Sequence, residues 1–446
     1  MISRNHRSSR RLRLRQSCRR SELAAAQIGA NSYGYAYDSI GNRQWFSANG
    51  VTNGYAANCL NQYSSVEQST FNIQPTYDSD GNLTSDGAFN YAFDAENRLV
   101  SAYPTSPVGD SLSVENRYDH KHRRVRKIVK SYSGGSWQTT ATHTFVWDDM
   151  NIVLEQIAFA DDSIRTVEYF WGNDLSGTEQ GAGGVGGLVA VSVDGAFFIP
   201  CYDHNGNVVC YVSESGAIAA QYVYAPYGNV IEQYGALAGR FAIRFSTKYT
   251  DIETGLISYL RRFYCPDHGR WLNRDPIEER GGENLYAFCG NNSLVDFDLQ
   301  GNISLASLLE TISRVRDLAN RLKEMLSEMS ECIKVVNSWQ PGHERDSDTN
   351  DKFRHCVGSC EIAKACGDKI SIALGLAKEM RDIVFSLPQN IAALVNATQA
   401  EMWLDSIFNG DTFADNLADL TADVMGIDIK NANGDCECAC RKYYTP

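Results

Sequence analysis

No stretch of this 446-residue chain is apolar enough, for long enough, to cross a membrane as a helix, which takes about 18 to 20 apolar residues in a row. The nearest, "IVFSLPQNIAALVNATQA" (383–400), is uncharged but carries Pro388, Gln389, Asn390, Asn396 and Gln399. It reads as two short helices broken at the proline. The arginine-rich head is not expected to be a secretion signal: it is followed by "SELAAAQIGANSYG", which opens on a charge and lacks the apolar run such a signal needs. The head therefore reads as a disordered basic arm over residues 1–30, or as the ragged start of a truncated reading frame. Absent too are a phosphate-cradling Gly-x-x-x-x-Gly-Lys loop, a Gly-x-Ser-x-Gly elbow and a His-Glu-x-x-His pair. Those absences remove P-loop nucleotide hydrolysis, α/β-hydrolase chemistry and zincin proteolysis as recognisable activities, and no cofactor or metal set is assigned.

What is present is unevenly spread. The first twenty residues hold eight arginines and no acid, so the rest of the chain carries a net −21 against −13 for the whole. An acidic body argues against a nucleic-acid partner. With 43% hydrophobic and 11% aromatic residues, the chain has ample material for a buried core, and its length allows two to four domains. Of 23 tyrosines, 21 precede residue 301. That first part repeats a phrase: "YDSIGNR" at Tyr37, "YDSDGNL" at Tyr77 and "YDHNGNV" at Tyr202, with looser copies at Tyr91, Tyr118 and Tyr224. In each, an aromatic strand end runs into Asp-x-x-Gly-Asn. The Asp side chain bonds the backbone two residues on, and Gly or Asn supplies the positive φ of a tight hairpin. Alternating runs such as "RVRKIV" and "NVVCYV" follow the turns. The reading is a long antiparallel meander that must curl or cover its edges.

These phrases resemble YD repeats. The string "ETGLISYLRRFYCPDHGRWLNRDPIEERGGENLYAFCGNNSLVDFDLQG" (253–301) is similar to the core of RHS (rearrangement hotspot) proteins. The resemblance covers roughly residues 31–301. It implies an all-β YD-repeat shell over 31–240, a curled sheet of hairpins, closed by a core plug at 241–301. In many members of that family the core also cuts the chain just after itself, using two carboxylates that share a proton. Residue by residue, the resemblance assigns Asp275 and Asp298 to that pair, and Arg274 to polarising the scissile carbonyl. Asp275 precedes a proline and Asp298 opens an Asp-x-x-Gly turn, so both also read as turn-formers. The chain departs from the family pattern at Ser293 and Leu299, where prolines are usual, and at Asn302, where leucine usually precedes the cut.

Beyond residue 301 the pattern turns helical. Leu308, Ile312, Val315, Ala319, Leu322, Leu326, Met329, Ile333 and Val336 keep heptad steps, which predicts a helix over 304–336 within a 302–340 helix-and-linker segment. Residues 341–446 read as an α-helical, cysteine-rich effector domain. There His355, Glu379, Asp382 and the spaced acids Asp411, Asp415, Asp419 and Asp423 are candidates for an acid–base site. An i, i+4 row of acids reads equally as a solvated face. Cys356, Cys360, Cys366, Cys436, Cys438 and Cys440 are candidates for disulfides formed after export, with zinc or free thiols as the alternatives.

The whole reads as an RHS-type polymorphic toxin for antagonism between bacteria, secreted or held at the cell envelope. Its expected partners are a cognate immunity protein and a secretion apparatus or a missing upstream piece of shell. The alternatives are a surface protein whose repeats hold carbohydrate, and a pore-former acting through the heptad helix and residues 383–400.

Overall fold

The Asp-x-x-Gly-Asn phrases make the hairpins that their chemistry dictates. In the computed structural model, Asp38 Oδ1 accepts the amides of Ile40 (3.0 Å) and Asn42 (2.8 Å), while its Oδ2 takes the Asn42 side-chain amide at 2.9 Å. The same three bonds recur at Asp78 with Asp80 and Asn82, and at Asp203 with Asn205 and Asn207. At Asp94 and Asp119 the fifth residue is Arg98 or Arg123, whose Nε takes over the asparagine's bond to Oδ2. The fourth residue carries the positive φ: +87° at Gly41, +84° at Gly81 and +73° at Gly206, with Asn97 (59°) and His122 (65°) filling the place in the Arg versions.

The structure describes residues 13–16, 22–68, 71–302, 317, 320 and 321. The chain divides into two units, Met1–Leu308 and Leu309–Pro446. In the first unit the strands run as antiparallel neighbours in sequence order. A seven-stranded sheet spans Arg13–Gln16 to Asn72–Ile73, and a fourteen-stranded sheet spans Thr76–Tyr77 to Val230–Tyr234. A small four-stranded sheet comes next, from Tyr249–Thr250 to Arg270–Trp271. Within the basic arm expected over residues 1–30, the described stretches 13–16 and 23–28 are strand. Arg13–Gln16 pairs with Leu23–Ile28, and Leu23 and Ala26 are buried. The Leu-Arg alternation at 12–15 is period-two, which suits an edge strand as well as a tail. Of the helix expected over 304–336, Asp317, Asn320 and Arg321 are described, and they are helical. The effector expected over residues 341–446 lies outside the described residues. Among the described residues, no helix is long and apolar enough to cross a membrane.

Alternation along the strands builds the core. Phe145, Val167, Tyr169, Val191, Phe198 and Tyr211 turn to one face and meet Phe241, Ile243 and Tyr249. Leu23, Tyr33 and Tyr35 of the first sheet pack with Tyr264, Trp271 and Phe288, and Leu83, Tyr91 and Leu99 pack with Phe263 and Leu272. Among the described residues, each of the three large clusters thus includes residues from the 238–289 stretch. Rings stack tightly there, Tyr211 on Phe241 at 3.9 Å and Tyr264 on Phe288 at 4.0 Å, adding about 1 kcal/mol per pair beyond area burial.

Candidate functional site

The string at 269–292 is polar because the hairpin turns need partners. Tight turns leave carbonyls that cannot join a ladder, and once buried each costs energy unless a donor meets it. The string supplies those donors. Arg270 bonds the Asn61 carbonyl, Asn273 that of Asn97 (3.2 Å), Arg274 that of Asp80 (2.9 Å), Tyr286 that of Gly81 (2.7 Å) and Asn291 that of Gly41 (2.8 Å). From the other side, Asn205 in the third YD turn donates to the carbonyls of Ser293 and Asp296. The turns therefore gather around one segment.

Within it, Arg262 is the centre of charge. Its guanidinium lies 4.3 Å from the Trp271 ring centroid, donates through Nη2 to Asp275 Oδ2 at 2.7 Å, and donates through Nε to the Gly301 carbonyl. Burial lowers its pKa, and Asp275 and Asp298 oppose that shift. Asp275 is buried, its Oδ1 capping the Ile277 amide at 3.0 Å, and burial raises its pKa against the pull of Arg262. Gly281 packs so closely that a Cβ there would stand 2.6 Å from Asp275 Oδ2 and 3.2 Å from the Asn302 carbonyl. The carboxylate thus lies beside the backbone of residue 302.

Asp298 closes the arrangement. "DLQGN" (298–302) is one more Asp-x-x-Gly-Asn turn: Gly301 has φ +89°, and Asp298 Oδ1 accepts the amides of Gln300 (3.0 Å), Gly301 (2.5 Å) and Asn302 (3.2 Å). Unlike the more exposed Asp78 and Asp94 turns, this one is buried. Burial lifts the Asp298 carboxyl to about 7, assisted by Asp275 and opposed by Arg262 and the turn amides. Two residues before Gly301, the Leu299 carbonyl receives Lys248 Nζ at 3.0 Å, an ammonium that desolvation lowers to about 8. Lys248 also reaches the Gly183 carbonyl, and a Cβ on Gly183 would sit 2.0 Å from the Leu299 oxygen.

The structure therefore places Asp275 and Asp298 around one cation, but that cation is not Arg274. The Arg274 side chain points out to the Asp80 turn, and Arg262 holds the carbonyl instead. Buried, adjacent Trp271 and Leu272 turn toward the core ahead of Arg274, whereas Arg262 lies between Leu260 and Phe263, buried against Trp271. In "YLRRFYC" nothing local separates Arg261 from Arg262; only the pairing of Ser258 with Phe263 turns Arg262 inward. Lys248 carries no sequence signal of its own either. His355, Glu379, Asp382, Asp415 and Asp419, and the cysteines from 356 to 440, lie outside the described residues.

A meander of Asp-x-x-Gly-Asn hairpins gathered on a buried donor-rich string is the arrangement that the likeness to YD-repeat proteins with an RHS-type core implies. No family model matches the chain. It is similar to the tRNA3(Ser)-specific nuclease WapA of Bacillus spizizenii, 27% identical over 279 residues, which cover 60% of this chain and 11% of that protein. It is also similar to Toxin protein Tse5 of Pseudomonas aeruginosa, 29% identical over 254 residues, 51% of this chain and 18% of that one. A solved structure, TcdB2-TccC3 without its hypervariable C-terminal region, matches with a TM-score of 0.44 and 16% identity over 65% of this chain and 17% of that chain. The chain thus spans about a tenth of the nuclease's length. Its described part resembles the repeat-and-core region of RHS/YD-repeat toxin proteins.

Proposed function

We propose that this chain is the closing segment of an RHS-type toxin shell, and that its core cuts the peptide bond between Gly301 and Asn302, one bond before the position the resemblance implies, to free the segment beyond. The observation that carries the reading is Arg262, which bridges Asp275 Oδ2 and the Gly301 carbonyl while Asp298 contacts the Asn302 amide. Arg262 polarises the carbonyl. Asp275, the ion-pair partner of Arg262, takes a proton from a water whose oxygen bonds the Gly301 carbonyl carbon. Asp298, protonated up to about pH 7, hands its proton to the Asn302 nitrogen as the C–N bond breaks. The products are a Gly301 carboxylate and an Asn302 amine.

The freed part is then an effector used between bacteria, with His355, Glu379, Asp382, Asp415 and Asp419 as its acid–base candidates and an immunity protein as its neutralising partner. Nucleic acid, disfavoured by the acidic body, becomes a candidate target of the effector, because one relative is named as a tRNA nuclease. Delivery is to the outside of the cell, through a secretion apparatus or with a further piece of shell. Intact-mass analysis and N-terminal sequencing of wild type, Asp275→Asn, Asp298→Asn and Arg262→Gln test the reading. A fragment beginning at Asn302 in wild type alone supports it. An uncut wild-type chain between pH 5 and 8 reduces the core to a structural seal.

A further inference from the structure

Cys201 and Cys210 face each other across the hairpin formed by Ala196–Tyr202 and Val208–Ser213, as directly opposed register partners. Their neighbours Pro200 and Tyr211 point into the core, so the two thiols lie on the other face, half-buried and within reach of small reagents. Burial, together with the neighbouring Cys201 thiol, raises the Cys210 pKa. Directly opposed Cβ atoms stand about 4.5 to 5.5 Å apart, and a disulfide needs about 3.5 to 4.5 Å. A small closure of the ladder brings them into range. Among the described residues the remaining cysteines are Cys59, exposed, and Cys265 and Cys289, buried.

The turn of this hairpin is the bracket that grips the core string. Asn205 holds the Ser293 and Asp296 carbonyls, and His204 donates to Leu294 at 3.1 Å. Asn207 accepts the Ser246 amide at 2.7 Å, and the Gly206 carbonyl accepts Thr247 Oγ1 at 2.6 Å. A covalent tie at the base of the bracket would limit how far its strands can part.

We propose that Cys201 and Cys210 form a reversible dithiol–disulfide pair, open in a reducing cytoplasm and closed in an oxidising exterior, that staples this bracket. The oxidant is a disulfide of the glutathione class or a thiol–disulfide oxidoreductase. The Cys201 thiolate attacks a donor sulfur and releases one donor thiol, leaving a mixed disulfide. Cys210 then attacks the Cys201 sulfur and releases the second, so two protein thiols are oxidised as one donor disulfide is reduced. The inference stands whether or not the chain cuts itself.

Residues 166–240 contain no lysine, no arginine before Arg240 and no cysteine besides this pair, so one tryptic peptide reports both thiols. The full chain is equilibrated in glutathione buffers of rising disulfide content, alkylated without reduction, digested and weighed. The expected wild-type peptide is unalkylated and two hydrogens lighter than its reduced form. In Cys201→Ser and Cys210→Ser the remaining thiol carries glutathione or the alkyl group instead. Unfolding in urea should lower the ratio of closed to open peptide roughly tenfold or more in the same buffer, because the fold supplies the effective concentration. A doubly alkylated or doubly glutathionylated wild-type peptide in the most oxidising buffer overturns the proposal. So does an equal closed fraction in folded and unfolded chain.

Discussion

Replacing Asp298 with asparagine separates what the carboxyl does for chemistry from what it costs the fold. Burial lifts its pKa from 3.8 to about 7. The folded core therefore keeps a proton that the unfolded chain has released across that window. Its contribution to stability is full below about pH 3.8, falls as pH rises, and levels off once pH passes about 7. A shift of about three units at about 1.4 kcal/mol each sets the loss at up to roughly 4 kcal/mol, as an order of magnitude. The asparagine would keep an acceptor oxygen for the amides of Gln300, Gly301 and Asn302 but carries no charge at any pH. Urea unfolding followed by tryptophan fluorescence, from pH 4.5 to 8.5, should show a slope in wild type that the variant lacks. At pH 8 the variant should be the more stable by a few kcal/mol, and it should not cleave. A variant less stable than wild type at pH 8 would refute the reasoning, because the turn amides and Arg262 would then be stabilising the ionised carboxylate by more than burial costs it.

The other expectations concern the groups around that carboxyl. Arg262→Gln leaves Asp275 buried without its partner, so it should cost about 3 to 5 kcal/mol in denaturant unfolding and leave the chain uncut. Arg274→Ala removes one exposed bond to the Asp80 turn; it should cost about 1 kcal/mol or less and leave fragment yield unchanged. Equal loss of cleavage in both variants would return the carbonyl-polarising role to Arg274. Gly183→Ala places a methyl 2.0 Å from the Leu299 oxygen at a φ of +65°. It should slow appearance of the fragment at least tenfold although Gly183 lies over a hundred residues from the cut, and an unchanged rate would mean that the Leu299 segment is free to shift.

The hairpins were legible because their signal is local: an aspartate, the backbone two residues on, and a glycine at the fourth place all lie within five residues. The two aspartates at the core were legible through the resemblance. The cation between them was not, because the choice among Arg261, Arg262 and Arg274 is made by the ladder Ile257–Ser258 shares with Phe263–Cys265 and by the face of Trp271. Asp298's turn was legible as Asp-x-x-Gly, and like the Asp94 copy it follows a phenylalanine. Its burial beside Arg262 was not, because that depends on contacts distant in sequence. The partner of a turn such as Gly41 is Asn291, 250 residues away, a separation at which no periodicity speaks.

That separation sets a schedule. A ribosome adding about 5 to 20 residues per second emits the Gly41 turn roughly 12 to 50 seconds before Asn291, and the Gly81 turn only slightly later. Until then those carbonyls face water, and the hairpins are stitched side by side with nothing to close on. Within the core, Asp298, Gly301 and Asn302 emerge last, so the proposed scissors can be completed only after every residue of the earlier turns has been made. Severance would then act as a certificate of completed folding, issued once per molecule, and a misregistered chain would keep its tail attached.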